Sequence, residues 1–489
     1  MICVTGTERT LGALNARLAT HTDADLLEVR LDYLEGTAPA FDRLPVDPRR
    51  LLFSCRPQRE DGRFLGEEKE RIRWLEHALG CGPGWVDLEL DMDEALRRRL
   101  FRAARAVGTR VLVSAHETSP GTEAERRALL ERLIAANGDA LKLVLMVEDA
   151  AELSLLLEAG ASIPKPAVLV GLGPAGLLSR AMYHHFGSIW TYTAARAGGE
   201  TAPGQLSTDL MQRWRLPPSA DADLYALLGG PGVMRSPGPD VFNALFARKR
   251  LDACYLPVVT DRPRETLAML RELGLRGASV AMPLKERVLT LIDRCSEEAE
   301  AAGAVNTIIV EKNGKLSGEL TDGFGALAAL DATRGKALAG QKAAILGNGG
   351  TAAALSLALS GAGASVTLLG RNTEQTESLA ARVGARARPL SDLGRVRFDI
   401  LVNATSVGSM DPEASPVRDP AVLSGKRVLD TVPEPDTRLL RDTKASGGVA
   451  IPGRRMWAEQ GRLQLRRWLN LKVPVSQLAK DPATPRRLR

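Results

Sequence analysis

The sequence predicts an α/β protein in two halves, an N-terminal (β/α)8 barrel and a C-terminal half with a nucleotide-binding βαβ unit. Up to about residue 215, short apolar segments alternate with helix-length segments. In the second half, residues 342–372 read as a strand, a glycine-rich turn, an alanine-rich helix and a further strand. A chain of 489 residues is long enough for two domains of barrel size, or for three to four smaller ones.

The first half contains eight strand candidates, which are MICVTG, LLEVRLD, LLFSCRP, WVDLEL, RVLVSAHE, ALKLVLM, AVLVGLG and SIWTYTA. Strands at this spacing, separated by helices, are typical of a closed parallel barrel, whose chemistry lies at the carboxyl ends of the strands. Polar residues fall at those ends, at Glu28, Arg30, Arg56, His116, Lys142 and Gln205. The segment LPPSADAD, residues 216–223, breaks the pattern and is the predicted linker.

Lys142 lies inside ALKLVLMVEDA, which otherwise reads as a buried strand. Desolvation lowers the pKa of a buried lysine by up to roughly 3–5 units, so such a residue is either paired or used as a neutral amine. A pair with Glu28 or another carboxylate would satisfy a polar barrel interior. From position alone, both interpretations remain open.

The glycine-rich turn of the second half predicts a cofactor site. Gly347, Gly349 and Gly350 follow the strand AAILG and precede a helix, where missing side chains let a pyrophosphate approach the helix N-terminus. A tight turn made only for packing is the alternative. The next strand ends in Arg371, where an NAD site usually has Asp or Glu, and a cation there favours the 2′-phosphate of NADP.

The five histidines all lie in the first half of the chain. A dehydrogenase in the second half therefore needs lysine, tyrosine or a carboxylate as its proton donor. Lys285 in GASVAMPLKERV and Asp322 in LTDGFG are the candidates, although either residue alone could be an ordinary surface charge.

Composition excludes several classes of function. With 44% hydrophobic and 25% charged residues, and no window near the roughly 18 apolar residues of a membrane span, we expect a soluble protein without a membrane partner. The start MICVTGTERT lacks the pattern of a secretory signal, so we expect a cytoplasmic location. The net charge of +6 is spread along the chain, which favours anionic small molecules over nucleic acid. The five scattered cysteines predict reduced thiols and no metal site. The tail, residues 477–489, is basic and expected to be a solvated end.

The first half resembles type I 3-dehydroquinate dehydratase. The resemblance rests on spaced motifs: ExR at Glu28 and Arg30, Arg56 with Glu60 and Gly62, SAHE around His116, LKL around Lys142, GxGxxGxxSR ending at Arg180, and TAPGQ from Thr201 to Gln205. It implies a barrel over residues 1–216.

This resemblance implies that Lys142 forms a Schiff base with the ketone of 3-dehydroquinate, giving 3-dehydroshikimate. His116 would take a proton and then assist loss of the hydroxyl as water, with Glu60 orienting its ring. Arg180 would hold the substrate carboxylate. The remaining family matches imply substrate binding by Glu28, Arg30, Arg56, Thr201 and Gln205.

The second half resembles shikimate dehydrogenase through PLK, AGAVNT, TDGFG, GNGG, NATSVG and GRRMWAEQG. The resemblance implies a substrate-binding lobe over 224–328, completed by 455–476, and a Rossmann NADP-binding domain over 329–454. It implies Lys285 and Asp322 as the catalytic pair and NADP as the cofactor. Substrate would be bound by Ser236, Asn306 and Gln460. Cofactor binding would involve Gly347, Asn348, Gly349, Gly350, Thr351, Arg371, Asn403 and Thr405.

Four positions depart from the dehydrogenase pattern, namely Gly238, Ala281, Leu320 and Pro433. A lost hydrogen bond to a charged substrate is worth roughly 1.5–3 kcal/mol, so these departures could weaken turnover or mark another substrate. The main hypothesis is a bifunctional enzyme that makes 3-dehydroshikimate and reduces it to shikimate. A second hypothesis keeps the dehydratase but gives the other half weak activity or quinate as substrate. A third is a non-catalytic metabolite sensor. The sequence leaves the oligomeric state open.

Overall fold

The computed structural model describes residues 1–36, 41, 44–117, 119–334, 338–432, 434 and 436–479. The chain divides into two compact units, Met1–Asp223 with Asn243–Gly274, and Leu224–Phe242 with Leu275–Arg489. From residue 480 onward, the predicted basic tail lies outside the described residues, as does Pro433.

The barrel of the first unit is built from a curled parallel sheet. Its nine strands within the described residues are β1 (Ile2–Thr5), β2 (Leu26–Arg30), β3 (Leu51–Ser54), β4 (Trp85–Glu89), β5 (Arg110–His116), β6 (Ala140–Met146), β7 (Ala167–Leu172), β8 (Thr191–Ala194) and β9 (Leu206–Ser207). They follow the order β7-β6-β5-β4-β3-β2-β1-β8-β9. A parallel bridge between Ala167 and Ser188 joins β7 to the segment before β8. The eight predicted strands are confirmed, and the short β9 is an addition that the sequence pattern did not indicate.

Helices connect successive strands of the barrel, as the sequence alternation predicts. They are α1 (Leu11–Thr20), α2 (Glu68–Leu79), α3 (Glu94–Ala106), α4 (Glu123–Ile134), α5 (Ser154–Ser162), α6 (Leu177–Ala181) and α7 (Thr208–Trp214). The start of α4 shows the local logic: Thr122 and Glu125 form a capping box that satisfies free amides of its first turn.

Alternation along β6 separates the helix-facing side from the barrel interior. Leu141 and Leu143 are fully buried on one side, while Lys142 and Val144 point to the other. A cluster that includes strand-initial residues such as Leu26, Trp85 and Ala140 fills the amino-terminal end of the interior. The opposite end, where the strands finish, is therefore left for polar side chains.

The second half of the chain begins with β10 (Asp223–Gly229). It continues through α8 (Gly238–Lys249), β11 (Ala253–Val259) and α9 (Pro263–Glu272). The first sheet of the second unit contains β12 (Leu275–Val280), β13 (Arg294–Cys295), β14 (Thr307–Val310) and β15 (Leu316–Glu319) with α10 (Glu297–Ala302) and α11 (Asp322–Arg334). Within this unit the strands, which include β10, follow the order β10-β12-β14-β15-β13. The β12–β14 and β14–β15 pairs are antiparallel, so this is a mixed sheet.

The second sheet of this unit is fully parallel. It is formed by β16 (Lys342–Leu346), β17 (Ser365–Gly370), β18 (Arg386–Pro389), β19 (Ile400–Asn403), β20 (Arg427–Asp430) and β21 (Val449–Pro452). The helices are α12 (Gly350–Gly361), α13 (Thr373–Val383), α14 (Arg438–Ala445), α15 (Gly453–Leu469) and α16 (Ser476–Ala479). The strand order β18-β17-β16-β19-β20-β21 is that of a Rossmann fold, whose ligand crevice lies between the first and fourth strands in chain order, here β16 and β19. The predicted α/β fold class is confirmed in both halves.

In the described part of the chain, no helix has the length and apolarity that a membrane crossing requires.

Candidate active sites

A cavity of about 780 Å³, which includes the space at its mouth, opens at the carboxyl ends of the barrel strands. The residues predicted for the dehydratase site all line it, namely Glu28, Arg30, Arg56, Glu60, His116, Lys142, Arg180, Thr201 and Gln205. Residues far apart in the sequence are thus brought together by the curl of a single sheet.

The floor of this cavity is organised around Asp87, which sequence reasoning missed. Asp87 is fully buried, and its Oδ2 accepts from Lys142 Nζ at 3.1 Å and from Arg56 at 2.8 Å. Its Oδ1 accepts from the Ser114 hydroxyl at 2.5 Å. The register of β5 and β6 sets Ser114 beside Lys142, which explains why these groups meet.

Neighbouring charges and burial shift the pKa of Asp87 in opposite directions. Burial alone would raise its pKa, but the neighbouring charges of Arg56 and Lys142 outweigh burial and hold the pKa well below its usual range. Asp87 is therefore a permanent anion in the barrel interior. Of the two interpretations left open for Lys142, the pair is present, with Asp87 as the partner in place of Glu28, yet the lysine also faces the cavity.

Tyr192 contributes the second face of the lysine site. The Lys142 Nζ lies 4.6 Å from the centre of the Tyr192 ring, within cation–π range. Burial raises the pKa of the Tyr192 hydroxyl well above its ordinary value, so this group stays neutral. Lys142 is consequently held between an anion and an aromatic face.

His116 ends β5, two residues beyond Ser114 on the same face of the strand. Its Nδ1 lies 3.0 Å from Glu60 Oε2, without the alignment of a hydrogen bond. Burial, together with the charges of Arg56 and Lys142, lowers the pKa of His116 well below its ordinary value. The imidazole is therefore neutral at neutral pH and able to accept a proton. Burial raises the pKa of Glu60, against the opposing effect of Arg56.

Arg180 is an uncompensated cation in the cavity wall. Arg180 is 2% exposed, and its guanidinium donates to two carbonyl oxygens, those of Gly171 at 3.2 Å and Pro203 at 3.5 Å. Within the described residues it has no carboxylate partner. Burial lowers its pKa to about 10, so the group still carries a charge at neutral pH. A buried charge without a partner is costly, which indicates that an anion from outside the protein completes this site.

The other predicted residues of the cavity are held in place by local bonds. Glu28 accepts from the hydroxyls of Thr5 at 2.8 Å and Ser54 at 2.9 Å. Arg30 forms a two-bond pair with Asp32, at 2.9 and 2.7 Å. The side chain of Gln205 accepts from the backbone amide of Thr201 at 2.7 Å, which shapes the loop over the cavity. The sheet and its loops thus fix the cavity residues in position before any ligand binds.

A second cluster of polar groups lies in the second unit and contains the predicted dehydrogenase pair. Lys285 Nζ donates to Asp322 Oδ2 and, at 2.9 Å, to the hydroxyl of Thr351. Asp322, which begins α11 and is 3% exposed, accepts on its Oδ1 from Asn306 at 3.0 Å and from Gln460. Four of the predicted residues and Thr351 therefore form one network around a carboxylate.

Ser236, also predicted for this site, is not bonded to that network within the described residues. Its hydroxyl accepts from the backbone amide of Gly238 at 3.1 Å. Leu320 and Ala281 are two of the positions that depart from the dehydrogenase pattern. Leu320 is buried, at 8% exposure, and the backbone amide of Ala281 donates to the carbonyl oxygen of Leu228. The structure does not explain these substitutions.

The turn between β16 and α12 fits a dinucleotide pyrophosphate. Gly347 has φ of +115°, and a Cβ there would lie 2.9 Å from the Ala404 carbonyl oxygen, so glycine is required. Gly349 caps α12 without a side-chain bond and faces open space, which leaves the first amides of the helix available to an anion. Arg371 follows β17 and is exposed at the neighbouring strand end. Asn348 is bonded to Thr376 at 3.3 Å.

The side chains of Asn403 and Thr405 are bonded to each other and to neighbouring residues, and their cofactor contacts stay a prediction. Asn403 is fully buried, and its amide nitrogen donates to Asp430 at 2.9 Å and Val407 at 3.1 Å. Its oxygen accepts from the Thr405 amide at 3.1 Å and hydroxyl at 2.7 Å. These bonds fix the start of the loop after β19 and join it to the end of β20. The sequence motif indicated the loop but not this internal bonding.

Three family models match successive parts of the chain. The type I 3-dehydroquinase model matches residues 1–214, the shikimate dehydrogenase substrate binding domain matches 228–308, and the shikimate / quinate 5-dehydrogenase model matches 329–414.

Proteins similar to this chain include shikimate dehydrogenases and a bifunctional protein in which a dehydratase and a dehydrogenase are fused. A chloroplastic bifunctional 3-dehydroquinate dehydratase/shikimate dehydrogenase from Arabidopsis thaliana is 29% identical over 92% of this chain and 78% of that protein. A shikimate dehydrogenase (NADP(+)) from Rubrobacter xylanophilus is 37% identical over 53% of this chain and 94% of that protein. The crystal structure of a shikimate dehydrogenase from Aquifex aeolicus covers 54% of this chain and 99% of its own, with a TM-score of 0.50 and 28% identity.

Fold and sites together define a barrel lyase followed by a nicotinamide-dependent oxidoreductase. The chain belongs to the shikimate dehydrogenase family, and carries a type I 3-dehydroquinase domain ahead of its dehydrogenase half.

We predict that His116 stays neutral well into the acidic range, because its pKa is depressed by burial and by the adjacent cations. An NMR titration of ring-labelled histidine should place the His116 midpoint well below the ordinary value of about 6.5. The His116→Gln variant assigns the signal by its disappearance. A midpoint at or above the ordinary value would contradict the electrostatic description of the cavity.

Proposed function

We propose that the chain catalyses two consecutive steps of the shikimate pathway. The barrel dehydrates 3-dehydroquinate to 3-dehydroshikimate, and the second half reduces this product to shikimate with NADPH. The observation that carries the proposal is the cavity in which Lys142, neutral His116 and the unpaired Arg180 meet. These groups are, respectively, an amine, a base and an anion-binding cation.

The dehydration begins with attack of the Lys142 amine on the substrate ketone, and loss of water gives an iminium. The iminium withdraws electrons from the adjacent carbon, from which neutral His116 takes a proton. The resulting imidazolium returns that proton to the departing hydroxyl, which leaves as water. Hydrolysis of the iminium then frees the product and the lysine.

Asp87 balances charge in this cycle. The nitrogen of Lys142 becomes cationic in the iminium, and Asp87 Oδ2 lies 3.1 Å from it. Asp87 is also bonded to Arg56, which pairs with Glu60 and Glu89 as well, so removal of the Asp87 charge would leave Lys142 without a carboxylate partner among the described residues. We therefore assign Asp87 a positioning and charge-balancing role.

Substrate recognition in the barrel rests on Arg180. The guanidinium is suited to a carboxylate because it presents paired N–H donors in one plane. We assign the remaining polar residues of the cavity, Glu28, Arg30, Arg56, Thr201 and Gln205, to the hydroxyls and the polar surround of the substrate. Glu60 orients His116 from 3.0 Å.

For the second half, the cofactor is NADP, whose reduced form, NADPH, would supply hydride to the substrate carbonyl when bound. Lys285, paired with Asp322, exchanges a proton with the carbonyl oxygen. Asn306 and Gln460 bind substrate hydroxyls from positions next to Asp322, and Ser236 contributes to the substrate lobe. Gly347 to Thr351 hold the pyrophosphate.

We propose the domain bounds predicted from the sequence: a barrel over 1–216, a substrate lobe over 224–328 with 455–476, and a cofactor domain over 329–454. The ranges of the three family models support this division. Arg371 would hold the 2′-phosphate of NADP. A cytoplasmic location remains a prediction.

Quinate, or a related compound, is the second candidate substrate of the dehydrogenase half. Gly238 and Ala281 are the features that discriminate this candidate, because each lacks a side-chain donor that the family pattern has near the substrate. A non-catalytic sensor is disfavoured, since a sensor has no use for an amine and a base in one cavity.

Borohydride reduction in the presence of 3-dehydroquinate should attach the substrate skeleton to Lys142. We expect the Lys142→Met variant to lose both the adduct and enone formation. Lys165→Met is the matched control, because Lys165 bonds to the Ala136 carbonyl outside the cavity. Peptide mass analysis locates the adduct, and an adduct on another lysine would overturn the assignment.

Replacing Arg180 by Met should raise the KM of the dehydratase by roughly tenfold to a hundredfold, the worth of one or two charge-assisted bonds. Because the charge of Arg180 is unpaired in the free protein, the variant should unfold at a temperature no lower than that of the wild type. Arg127→Met, on the exposed surface of α4, serves as the control. An unchanged KM would remove Arg180 from substrate recognition.

The Lys285→Met variant should lose NADPH oxidation with 3-dehydroshikimate while enone formation in the barrel continues. The exposed Lys312→Met is the control for loss of a lysine. Shikimate and quinate are compared as substrates with NADP⁺. We expect the higher kcat/KM with shikimate, and a higher value with quinate would establish the second candidate.

A further inference from the structure

Thr351 belongs to two sites at once. It is the second residue of α12, in the turn where the proposed pyrophosphate site lies, and its hydroxyl accepts from Lys285 Nζ at 2.9 Å. Lys285 is also the proton-exchanging residue of the proposed reaction and is paired with Asp322. One hydroxyl oxygen therefore separates the anion-binding helix terminus from the catalytic ammonium group.

The backbone brings the two sites into direct packing. A Cβ added to Gly350 would lie 2.9 Å from the Ala304 Cβ and 3.5 Å from the Lys285 Cβ. The absence of a side chain at Gly350 thus allows the first turn of α12 to approach the segment of Lys285. The bond between Thr351 and Lys285 follows from this close approach, and both partners belong to the same compact unit.

The chemistry of a hydroxyl gives this bond a direction. A threonine hydroxyl has one proton to donate and two lone pairs that accept. Since Lys285 has protons only to donate, Thr351 accepts from it and keeps its own proton for another acceptor. A phosphate oxygen at the helix N-terminus is such an acceptor, and it would fix the orientation of the hydroxyl.

We propose that Thr351 is a positioning residue that couples occupancy of the cofactor site to the placement of Lys285 against the substrate. The inference rests on the proposed function of the dehydrogenase half. With an anion accepting from Thr351, a lone pair of Oγ1 is directed at Lys285 and holds its amine beside Asp322. Cofactor binding thereby strengthens substrate binding through a chain of two hydrogen bonds.

The coupling is measured as the ratio of shikimate affinities with and without saturating NADP⁺, by calorimetry on the full chain. We expect at least a fivefold ratio for the wild type and for Thr351→Ser, within the usual range of coupling between sites. Thr351→Val keeps the shape of the side chain but lacks the hydroxyl, and its ratio should fall close to one. If Thr351 had only a structural role, its replacement would change the shikimate affinities but leave their ratio as in the wild type. A Thr351→Val variant with the wild-type ratio therefore overturns the proposal.

A second readout does not depend on shikimate. Lys285 is labelled with trinitrobenzenesulfonate, and the rate of labelling is followed by peptide mass analysis with and without NADP⁺. NADP⁺ should slow the labelling of Lys285 in the wild type and in Thr351→Ser at least threefold more than in Thr351→Val. Steric shielding of Lys285 by bound NADP⁺ is equal in all three proteins, so it does not account for such a difference. Equal slowing overturns the coupling. If shikimate fails to bind but this difference appears, the substrate assignment is wrong and the coupling role stands.

Discussion

The barrel site depends on the buried anion of Asp87. Two cations, Arg56 and Lys142, share its Oδ2, and the Ser114 hydroxyl satisfies its Oδ1. Taking such charges out of water is costly unless each is paired and hydrogen-bonded. Burial, together with the charges of Arg56 and Lys142, keeps His116 neutral. The amine, the base and the polar floor of the cavity are therefore consequences of one electrostatic arrangement.

Sequence patterns predicted the barrel and nine residues that line its cavity, but not Tyr192 or the carboxylate partner of Lys142. Strand periodicity and the family motifs indicate which residues end each strand, and strand ends meet at one edge of the barrel. They do not say which side chains touch across the interior. Asp87 and Glu89 in WVDLEL alternate onto one buried face, and that pair of carboxylates in an apolar strand was the signal available. The partner depends on the register of neighbouring strands, which only the folded sheet provides.

The second half shows the same division between pattern and contact. The glycine turn, Lys285 and Asp322 were predictable because each lies in a local motif with a chemical reason. The internal bonds of Asn403 were not, since they join a loop to Asp430 on the next strand. Likewise, Thr351 reads as a cofactor residue in sequence, and its bond to Lys285 requires the packing of Gly350 against Ala304. The departures at Gly238 and Ala281 leave the network around Asp322 intact.

The central claim is that one chain performs two consecutive reactions, and a two-stage assay on the full chain tests it most directly. Purified protein is given 3-dehydroquinate, enone absorbance is recorded, and NADPH is then added. We predict that enone appears first and that NADPH is consumed afterwards, with shikimate as the product. An enone that accumulates while NADPH stays unoxidised would contradict the assignment of the second half. If no enone forms, the mechanism built on Lys142 is wrong.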